Sequence, residues 1–154
     1  MSTSITSNIT PYLWLPDRLR EAVEFYVALF PNSEVKAMNE VAPGVATAEF
    51  VLDGQPFLAM SSDRSAPLTP GVSFHVSCQT QDEVDRYWDA LTSGGGEEQP
   101  CGWLVDRFGV SWQIIPRALS ECLGNPDPER AQRAMNAMLG MKKLDISALS
   151  AAVA

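Results

Sequence analysis

The chain has 154 residues, of which 45% are hydrophobic and 19% charged, and its formal net charge is −8 at pH 7. Its length and composition are those of an ordinary globular protein that can fold without metal or disulfide staples. No basic stripe offsets the negative charge, so nucleic acid and anionic membrane surfaces are excluded as expected partners. We therefore expect one compact domain whose partners are a small molecule or another protein.

The cysteines and the first residues indicate the compartment. Cys78, Cys101 and Cys122 lie far apart and have none of the paired spacings of zinc knuckles or redox motifs, so we expect reduced thiols. The first residues lack the positive and apolar regions of a signal peptide, and no later stretch is long and apolar enough to cross a bilayer. These features predict a cytoplasmic protein.

The first part of the chain predicts a strand, a helix and three further strands. Residues 9–15 are β-prone, and residues 18–30 form a helix that ends at Pro31 and Asn32. Strands are predicted at 34–40, 45–52 and 56–61, and Asp53-Gly54 is a strong hairpin signal between the last two. The predicted buried face of the helix consists of Leu19, Ala22, Val23, Tyr26 and Leu29.

A polar, proline-rich stretch at 63–71 predicts a connector, after which the same pattern begins again. A strand at 72–78 precedes a helix that is capped by Thr80 and ended by Gly94-Gly95-Gly96. Strands near 97–101, 102–106 and 110–115 complete the second set, which indicates an internal repeat of roughly 60 residues. The repeat matches Val23 to Val84, Tyr26 to Tyr87, and Gly54 and Phe57 to Gly109 and Trp112.

Beyond Pro116 the sequence is helical. The stretch Asn125-Pro126-Asp127-Pro128-Glu129 predicts a capped helix start with proline in the first turn. Lys142-Lys143 suits the end of that helix, and Asp145 predicts the cap of a last short helix. An apolar stripe on the first of these helices favours packing over the core, with a dimer contact as the alternative. The stripe consists of Ala131, Ala134, Met135, Met138 and Leu139.

Six separated blocks of the sequence resemble the PhnB-like branch of the vicinal oxygen chelate superfamily, which has the glyoxalase/bleomycin-resistance fold. The resemblance extends from Ile9 to about Leu149 and implies an α+β fold of paired βαβββ modules, each curling a sheet around a cavity, with a C-terminal helical extension. The blocks are TPYLWL, EAVEFYVALFPNS, EFVLDGQPFLAM, TQDEVDRYWDAL, CGWLVDRFGVSWQIIP and AMLGMKKLDI.

The resemblance also implies boundaries within one structural domain. A tail occupies residues 1–8, and the first module residues 9–62. The connector at 63–71 leads to the second module at 72–118, and helices follow at 119–154.

Metal-dependent members of this superfamily hold a divalent ion with a His or Gln on the first strand and a Glu on the last strand of each module. Carried onto this sequence, these positions fall at or beside Pro11, at Leu58, at His75 and at Gln113. Proline and leucine offer no side-chain donor, and one imidazole with one amide is too few ligands. We therefore expect no cofactor, and a divalent metal on His75 and Gln113 is the less favoured alternative.

The expected ligand cavity is lined from both modules. Strand alternation places Ser73, His75 and Ser77 on the cavity side, and Thr10, Tyr12 and Trp14 on the equivalent face. Gln113 is then either an amide bonded to a neighbour such as Ser73 or His75, or a group that recognises a polar part of a ligand. Aromatic rings favour a flat or apolar ligand, although simple packing explains them equally well. The predicted ligand-binding residues are Tyr12, Trp14, Leu58, Met60, His75, Trp103 and Gln113.

Two chemical possibilities concern thiol catalysis and methyl transfer. Cys101, predicted in a strand near the cavity, is a nucleophile only if a cation such as Arg107 favours its thiolate, with His75 as base, so an inert thiol is the default.

Relatives are often labelled 3-demethylubiquinone-9 3-methyltransferases. The sequence disfavours that activity, because Gly94-Gly95-Gly96 follows a helix and no glycine-rich turn leads from a strand into a helix for a nucleotide-type methyl donor.

The sequence therefore predicts a cytoplasmic, homodimeric, bacterial-type protein that binds an unknown small molecule in a largely metal-free cavity. The alternative is a metal- or thiol-dependent enzyme of lyase, isomerase or dioxygenase type, whose weak catalytic candidates are Cys101 and His75. A third hypothesis is a structural or regulatory module whose helical tail docks a partner.

Overall fold

The computed structural model describes residues 7–64 and 66–154. Within these ranges the chain has the predicted α+β fold, with two four-stranded sheets. It divides into two compact units, the first ending at Pro67 and the second beginning at Leu68. The division falls inside the predicted connector, and the C-terminal helices belong to the second unit. The finer module boundaries remain predictions.

The first unit has the predicted order of elements. Its sheet order is β1-β4-β3-β2, in which β1 is parallel to β4 and the other neighbours are antiparallel. Strand β1 begins at Tyr12 instead of the predicted Ile9, because Pro11 has no N–H with which to extend the ladder. The elements are β1 (Tyr12–Leu15), α1 (Leu19–Leu29), β2 (Glu34–Ala42), β3 (Val45–Leu52) and β4 (Gln55–Ser61).

Helix α1 packs on the first sheet through the apolar face that its sequence predicts. All five predicted residues of this face are buried, namely Leu19, Ala22, Val23, Tyr26 and Leu29. In the sheet beneath it, the rings of Phe50 and Phe57 stack with their centroids 5.4 Å apart. Asp53 and Gly54 have φ values of 47° and 78°. Two successive left-handed residues form the tight hairpin turn that Asp53-Gly54 predicts between β3 and β4.

The second unit repeats this arrangement and adds helices. Its sheet order is β5-β8-β7-β6, with β5 parallel to β8, so strands at equivalent places in the two halves make equivalent pairs. Gly109, with a φ of 88°, occupies the turn before β8 as Gly54 does before β4, in agreement with the predicted repeat. The elements are β5 (Phe74–Cys78), α2 (Gln81–Thr92), β6 (Glu97–Glu98), β7 (Trp103–Val105), β8 (Ser111–Pro116), α3 (Arg117–Leu123), α4 (Pro128–Leu139) and α5 (Ile146–Ala152).

Three predicted helix caps are confirmed. Thr80 Oγ1 accepts a hydrogen bond from Glu83 N at 3.2 Å, Asp127 Oδ1 accepts one from Glu129 N at 2.9 Å, and Asp145 Oδ1 accepts one from Ala148 N at 3.0 Å. The predicted end of α4 at Lys142-Lys143 is wrong, because the helix ends at Leu139 and Gly140 follows. Lys143 instead pairs with Asp85 of α2 at 3.1 Å.

The C-terminal helices build a second apolar cluster around β8. Its buried members are Ile115, Leu119, Cys122, Ala134, Leu144 and Leu149. The predicted stripe of α4 is only partly correct, since Ala134 and Met138 pack on this cluster whereas Met135 and Leu139 are 37% and 60% exposed. Among the described residues, no helix is both long and apolar enough to cross a membrane.

The thiols differ in their environments. Cys78 and Cys122 are buried, whereas Cys101 is partly exposed, and the described cysteines form no disulfide. Burial raises the pKa of the Cys78 thiol to about 12, with a smaller contribution from the nearby Glu83 carboxylate. Burial likewise raises the pKa of Cys122, and Glu121 adds to the effect.

The raised pKa of Cys78 predicts a loss of stability in alkaline solution. The unfolded thiol ionises from roughly pH 8.5 upward while the folded one stays protonated, so its contribution to the free energy of unfolding falls as the pH rises toward about 12. Cys78→Ala should reduce this fall. Urea unfolding at about pH 8 and about pH 10.5 measures how far the free energy of unfolding falls with pH in each protein. Equal falls in Cys78→Ala and in the parent protein contradict the prediction.

Candidate functional site

Three predicted site residues form one row across the second sheet. His75 of β5 pairs in register with Gln113 of β8, which in turn pairs with Trp103 of β7. Cross-strand partners share a face of the sheet, so the three side chains lie on the same side. His75 is exposed, and Gln113 and Trp103 are half-buried.

The opposite face of the same strands belongs to the core. Phe74, Trp112 and Leu104 form the adjacent cross-strand row, and the rings of Phe74 and Trp112 have centroids 5.5 Å apart. Trp112 and Leu104 are buried, and β7 and β8 pack against helix α2. A shift of the register by one residue would bury His75 and Gln113, so the core row fixes which face stays polar.

Gln113 has a partner inside the protein. Its Nε2 donates a hydrogen bond to Ser73 Oγ at 2.9 Å, the partner expected if the amide has a structural role. Among the described residues this is its one side-chain hydrogen bond, and Oε1 accepts none. The same amide can therefore hold Ser73 through its nitrogen and still offer its oxygen to a ligand.

A cavity of about 380 Å³ opens beside this row. Trp103, Val105 and Ser111, which lie on one face of β7 and β8, contribute to its wall. Of the residues predicted as the ligand site, Trp103 is in the wall, whereas His75 and Gln113 are not among its lining residues. The lining consists of Pro70, Gln99, Pro100, Trp103, Leu104, Val105 and Ser111.

Most residues of this wall were not predicted from the sequence. Ser111 could have been found, because it lies two residues before Gln113 on the same strand and so shares its face. Gln99 and Pro100 carry no comparable signal, since they precede β7 in an irregular segment that only the folded chain brings to the cavity.

The four predicted ligand residues of the first unit also form a face of their own. Tyr12 pairs in register with Leu58, and Trp14 with Met60, in the parallel pair of β1 and β4. Tyr12 is 53% exposed, and Trp14 Nε1 donates a hydrogen bond to Ser62 Oγ at 3.1 Å. The single cavity that would join these residues with those of the second unit remains a prediction.

The positions that the family resemblance assigns to metal ligands do not offer a suitable set of donors for a divalent ion. Pro11 and Leu58 have no side-chain donor atom, and the carbonyl oxygen of Pro11 accepts from Leu58 N at 2.9 Å. His75 and Gln113 are then one imidazole and one neutral amide, too few and too weak a set for Mn²⁺ or Mg²⁺. Residues 7–64 and 66–154 contain no cluster of three His, Cys, Asp or Glu side chains that could bind an ion.

The prediction that Cys101 lies in a strand is wrong. Cys101 lies in a single 3₁₀ turn, Pro100–Gly102. Its φ of 63° is left-handed, and its N–H donates to the carbonyl oxygen of Met141 at 2.8 Å. Arg107, the cation proposed for its activation, stacks over the ring of Phe108 at 4.8 Å and donates to Ser93 Oγ at 3.4 Å. A catalytic role for Cys101 remains a prediction.

Asp106 has a structural role beside the site that was not predicted from the sequence. Asp106 is 3% exposed, and its carboxylate closes the turn between β7 and β8. Oδ1 accepts hydrogen bonds from Phe108 N at 2.9 Å and Val110 N at 3.0 Å, and Oδ2 accepts one from Trp112 Nε1 at 2.9 Å. An aspartate can accept hydrogen bonds from the backbone N–H groups two and four residues later, so the position of Asp106 in the sequence could have indicated this turn.

A family model and solved structures match this chain. The model for 3-demethylubiquinone-9 3-methyltransferase matches residues 7–115. A PhnB protein from Bacillus cereus that bears the same methyltransferase name is 31% identical, with a TM-score of 0.65, over 71% of this chain and 99% of that one. A protein from Pseudomonas aeruginosa is 24% identical, with a TM-score of 0.58, over 72% and 98% of the two chains. No curated protein matches at a significant level.

A more distant structural neighbour is the fosfomycin resistance protein FosX from Listeria monocytogenes. It is 19% identical, with a TM-score of 0.59, over 79% of this chain and 100% of that one. A variant of the same protein, solved with Mn(II) and 1S,2S-dihydroxypropylphosphonic acid, aligns with a TM-score of 0.54. At this level of identity the likeness shows the shared fold alone.

The buried carboxylate predicts a specific cost for its replacement. In Asp106→Asn one oxygen becomes an NH₂ group that faces an N–H donor, so we expect the free energy of unfolding to fall by about 1–3 kcal/mol. Asp127→Asn is the matched control, because asparagine caps a helix as well as aspartate does. Urea denaturation compares the two variants, and equal losses would show that the buried turn is not the reason.

Proposed function

Because this chain belongs to the PhnB-like 3-demethylubiquinone-9 3-methyltransferase family of the vicinal oxygen chelate superfamily, we propose that it binds a small organic molecule on the polar face of its second sheet. The observation that carries this proposal is the row of His75, Gln113 and Trp103 beside a cavity of about 380 Å³. Ligand pockets range from ~300 to ~1,000 Å³, so the ligand is expected to be small.

The chemistry of the wall favours a neutral, flat ligand that carries hydrogen-bonding groups. Pro100, Trp103 and Val105 supply apolar surface, and the face of an indole binds flat rings well. Gln99 and Ser111 supply uncharged donors and acceptors to the same cavity. A ligand that also reaches Gln113 would donate a hydrogen bond to its free Oε1.

Metal-dependent catalysis is the main alternative, since FosX has been solved with Mn(II) on the same fold. In this chain Pro11 and Leu58 stand where two metal ligands are expected, and neither offers a donor. We therefore propose that the ligand is held by protein groups directly, with no divalent ion between them.

Methyl transfer, which the family description names, receives no support from the glycines. The run Gly94–Gly96 follows α2, and Gly94 and Gly95 have φ values of 67° and 110° that end this helix. A nucleotide-type methyl donor binds where glycines lead from a strand into a helix. We therefore keep binding, and not methyl transfer, as the proposed function.

We also propose that the protein is a cytoplasmic homodimer, as its sequence and family suggest. Sedimentation equilibrium tests the assembly, and a profile that stays monomeric at high protein concentration contradicts the dimer. Binding at the second sheet can be tested independently of the assembly.

A neutral bicyclic lactam, 2-quinolinone, is a suitable first probe of the cavity. We expect it to shift the indole N–H signal of Trp103 in NMR spectra, and Gln113→Leu to weaken its binding about fivefold to tenfold, the value of one hydrogen bond. Gln55→Leu is the matched control, because Gln55 is an exposed amide whose one side-chain hydrogen bond among the described residues is to the neighbouring Pro56 carbonyl oxygen, at 3.0 Å.

Two results would count against this assignment of Gln113. If Gln113→Leu unfolds the protein, the bond to Ser73 is the main role of the amide. If 2-quinolinone binds with equal affinity to the parent protein and to Gln113→Leu, the amide does not recognise the ligand.

The mismatched ligand set predicts a weak response to divalent ions. We expect protein purified without chelator or affinity metal to contain no stoichiometric metal, and Mn²⁺ at about 1 mM to leave its tryptophan fluorescence unchanged. Elemental analysis and fluorescence titration measure these two quantities. Stoichiometric metal that is lost in His75→Ala would instead support the enzyme alternative.

A further inference from the structure

A turn of unusual conformation forms part of the cavity wall. Within Pro100–Gly102, Cys101 has a φ of 63° and Gly102 a φ of 84°. A left-handed conformation costs free energy in a residue that has a Cβ atom, so contacts elsewhere must hold Cys101 in place. The residues on either side of Cys101 and Gly102, Pro100 and Trp103, both line the cavity.

The contacts that hold this turn come from the segment between α4 and α5. Cys101 N donates to Met141 O and Gly102 N to Lys142 O, both at 2.8 Å. The fit is close, because a Cβ atom on Gly102 would lie 3.0 Å from Leu144 Cδ1. Residues 141–144 therefore brace the turn from the side of the C-terminal helices.

Gln81 of α2 anchors the bracing segment through two hydrogen bonds. Its Nε2 donates to Leu144 O at 3.1 Å, and its Oε1 accepts from Ile146 N at 2.8 Å. Lys143 adds an ion pair to Asp85 at 3.1 Å, on partly exposed side chains. Gln81 thus holds residues 141–144 against α2, and these residues in turn hold the cavity wall. Gln81 is not itself a lining residue.

We infer that residues 141–144 of the C-terminal extension position Pro100 and Trp103 through this brace and so determine the shape of the ligand cavity. The family model ends at residue 115, so the brace lies outside the part of the chain that the model describes. The extension then influences which ligand the cavity accepts. Its effect on ligand choice rests on the proposed function, whereas its effect on the wall does not.

The test compares Gln81→Ala with Gln132→Ala in the full-length protein. Both side chains bond to a residue four positions later, at 2.9 Å to Asp85 and 3.0 Å to Asn136, but only Gln81 also holds the bracing segment. In Gln81→Ala we expect amide hydrogen exchange at Cys101 and Gly102 to speed up about tenfold or more, and the indole signal of Trp103 to shift. Gln132→Ala should change neither.

Two outcomes would overturn the inference. In one, exchange at Ile146 speeds up while the amides of Cys101 and Gly102 and the Trp103 indole stay unchanged. In the other, none of these signals changes. If Gln81→Ala does not fold, Gln81→Glu takes its place, because it keeps an acceptor for Ile146 N and loses the donor to Leu144 O; the same results are expected.

A titration with 2-quinolinone separates this inference from the proposed function. We expect Gln81→Ala to weaken its binding by about fivefold, and Gln132→Ala to leave it unchanged. If the probe binds neither the parent protein nor the variants, the proposed site is wrong while the exchange result still decides the role of the brace. Equal binding to all three proteins, with faster exchange in Gln81→Ala, would show that the brace does not influence this ligand.

Discussion

The geometry of the site depends on one buried carboxylate. The carboxylate of Asp106 accepts hydrogen bonds from two backbone N–H groups of its own turn and from the indole N–H of Trp112. Its position therefore fixes both the turn and the strand that follows. Because β8 is hydrogen-bonded to both β5 and β7, the same interaction sets the row in which His75, Gln113 and Trp103 meet. A buried charge is stable there since three donors replace the water it has lost.

The second sheet separates structural and chemical roles between its two faces. Leu104 and Trp112 face the core, while Gln113 and Trp103 face the side where the cavity opens. The strand period of two produces this division, because neighbouring residues on one strand point to opposite faces, although Leu104 also contributes to the cavity wall. The polar face can therefore change its chemistry without any change to the core.

Much of the fold could be predicted because its signals are local. Short separations along the sequence determine the five buried positions of α1, the Asp53-Gly54 turn, and the caps at Thr80 and Asp145. Predictions failed where distant contacts decide. Cys101 reads as part of a strand, but the carbonyl oxygen of Met141, forty residues away in sequence, holds its N–H in a left-handed turn.

The sequence by itself determined the α+β repeat and the polar face of β5, since side-chain chemistry and strand alternation suffice for these. Only the tertiary structure decided which groups build the cavity wall, that Ser73 is the partner of Gln113, and that Gln81 anchors the C-terminal segment. The reason is physical. A periodic pattern reports which way a side chain faces, whereas a hydrogen bond between distant residues exists only after the chain has brought its donor and acceptor together.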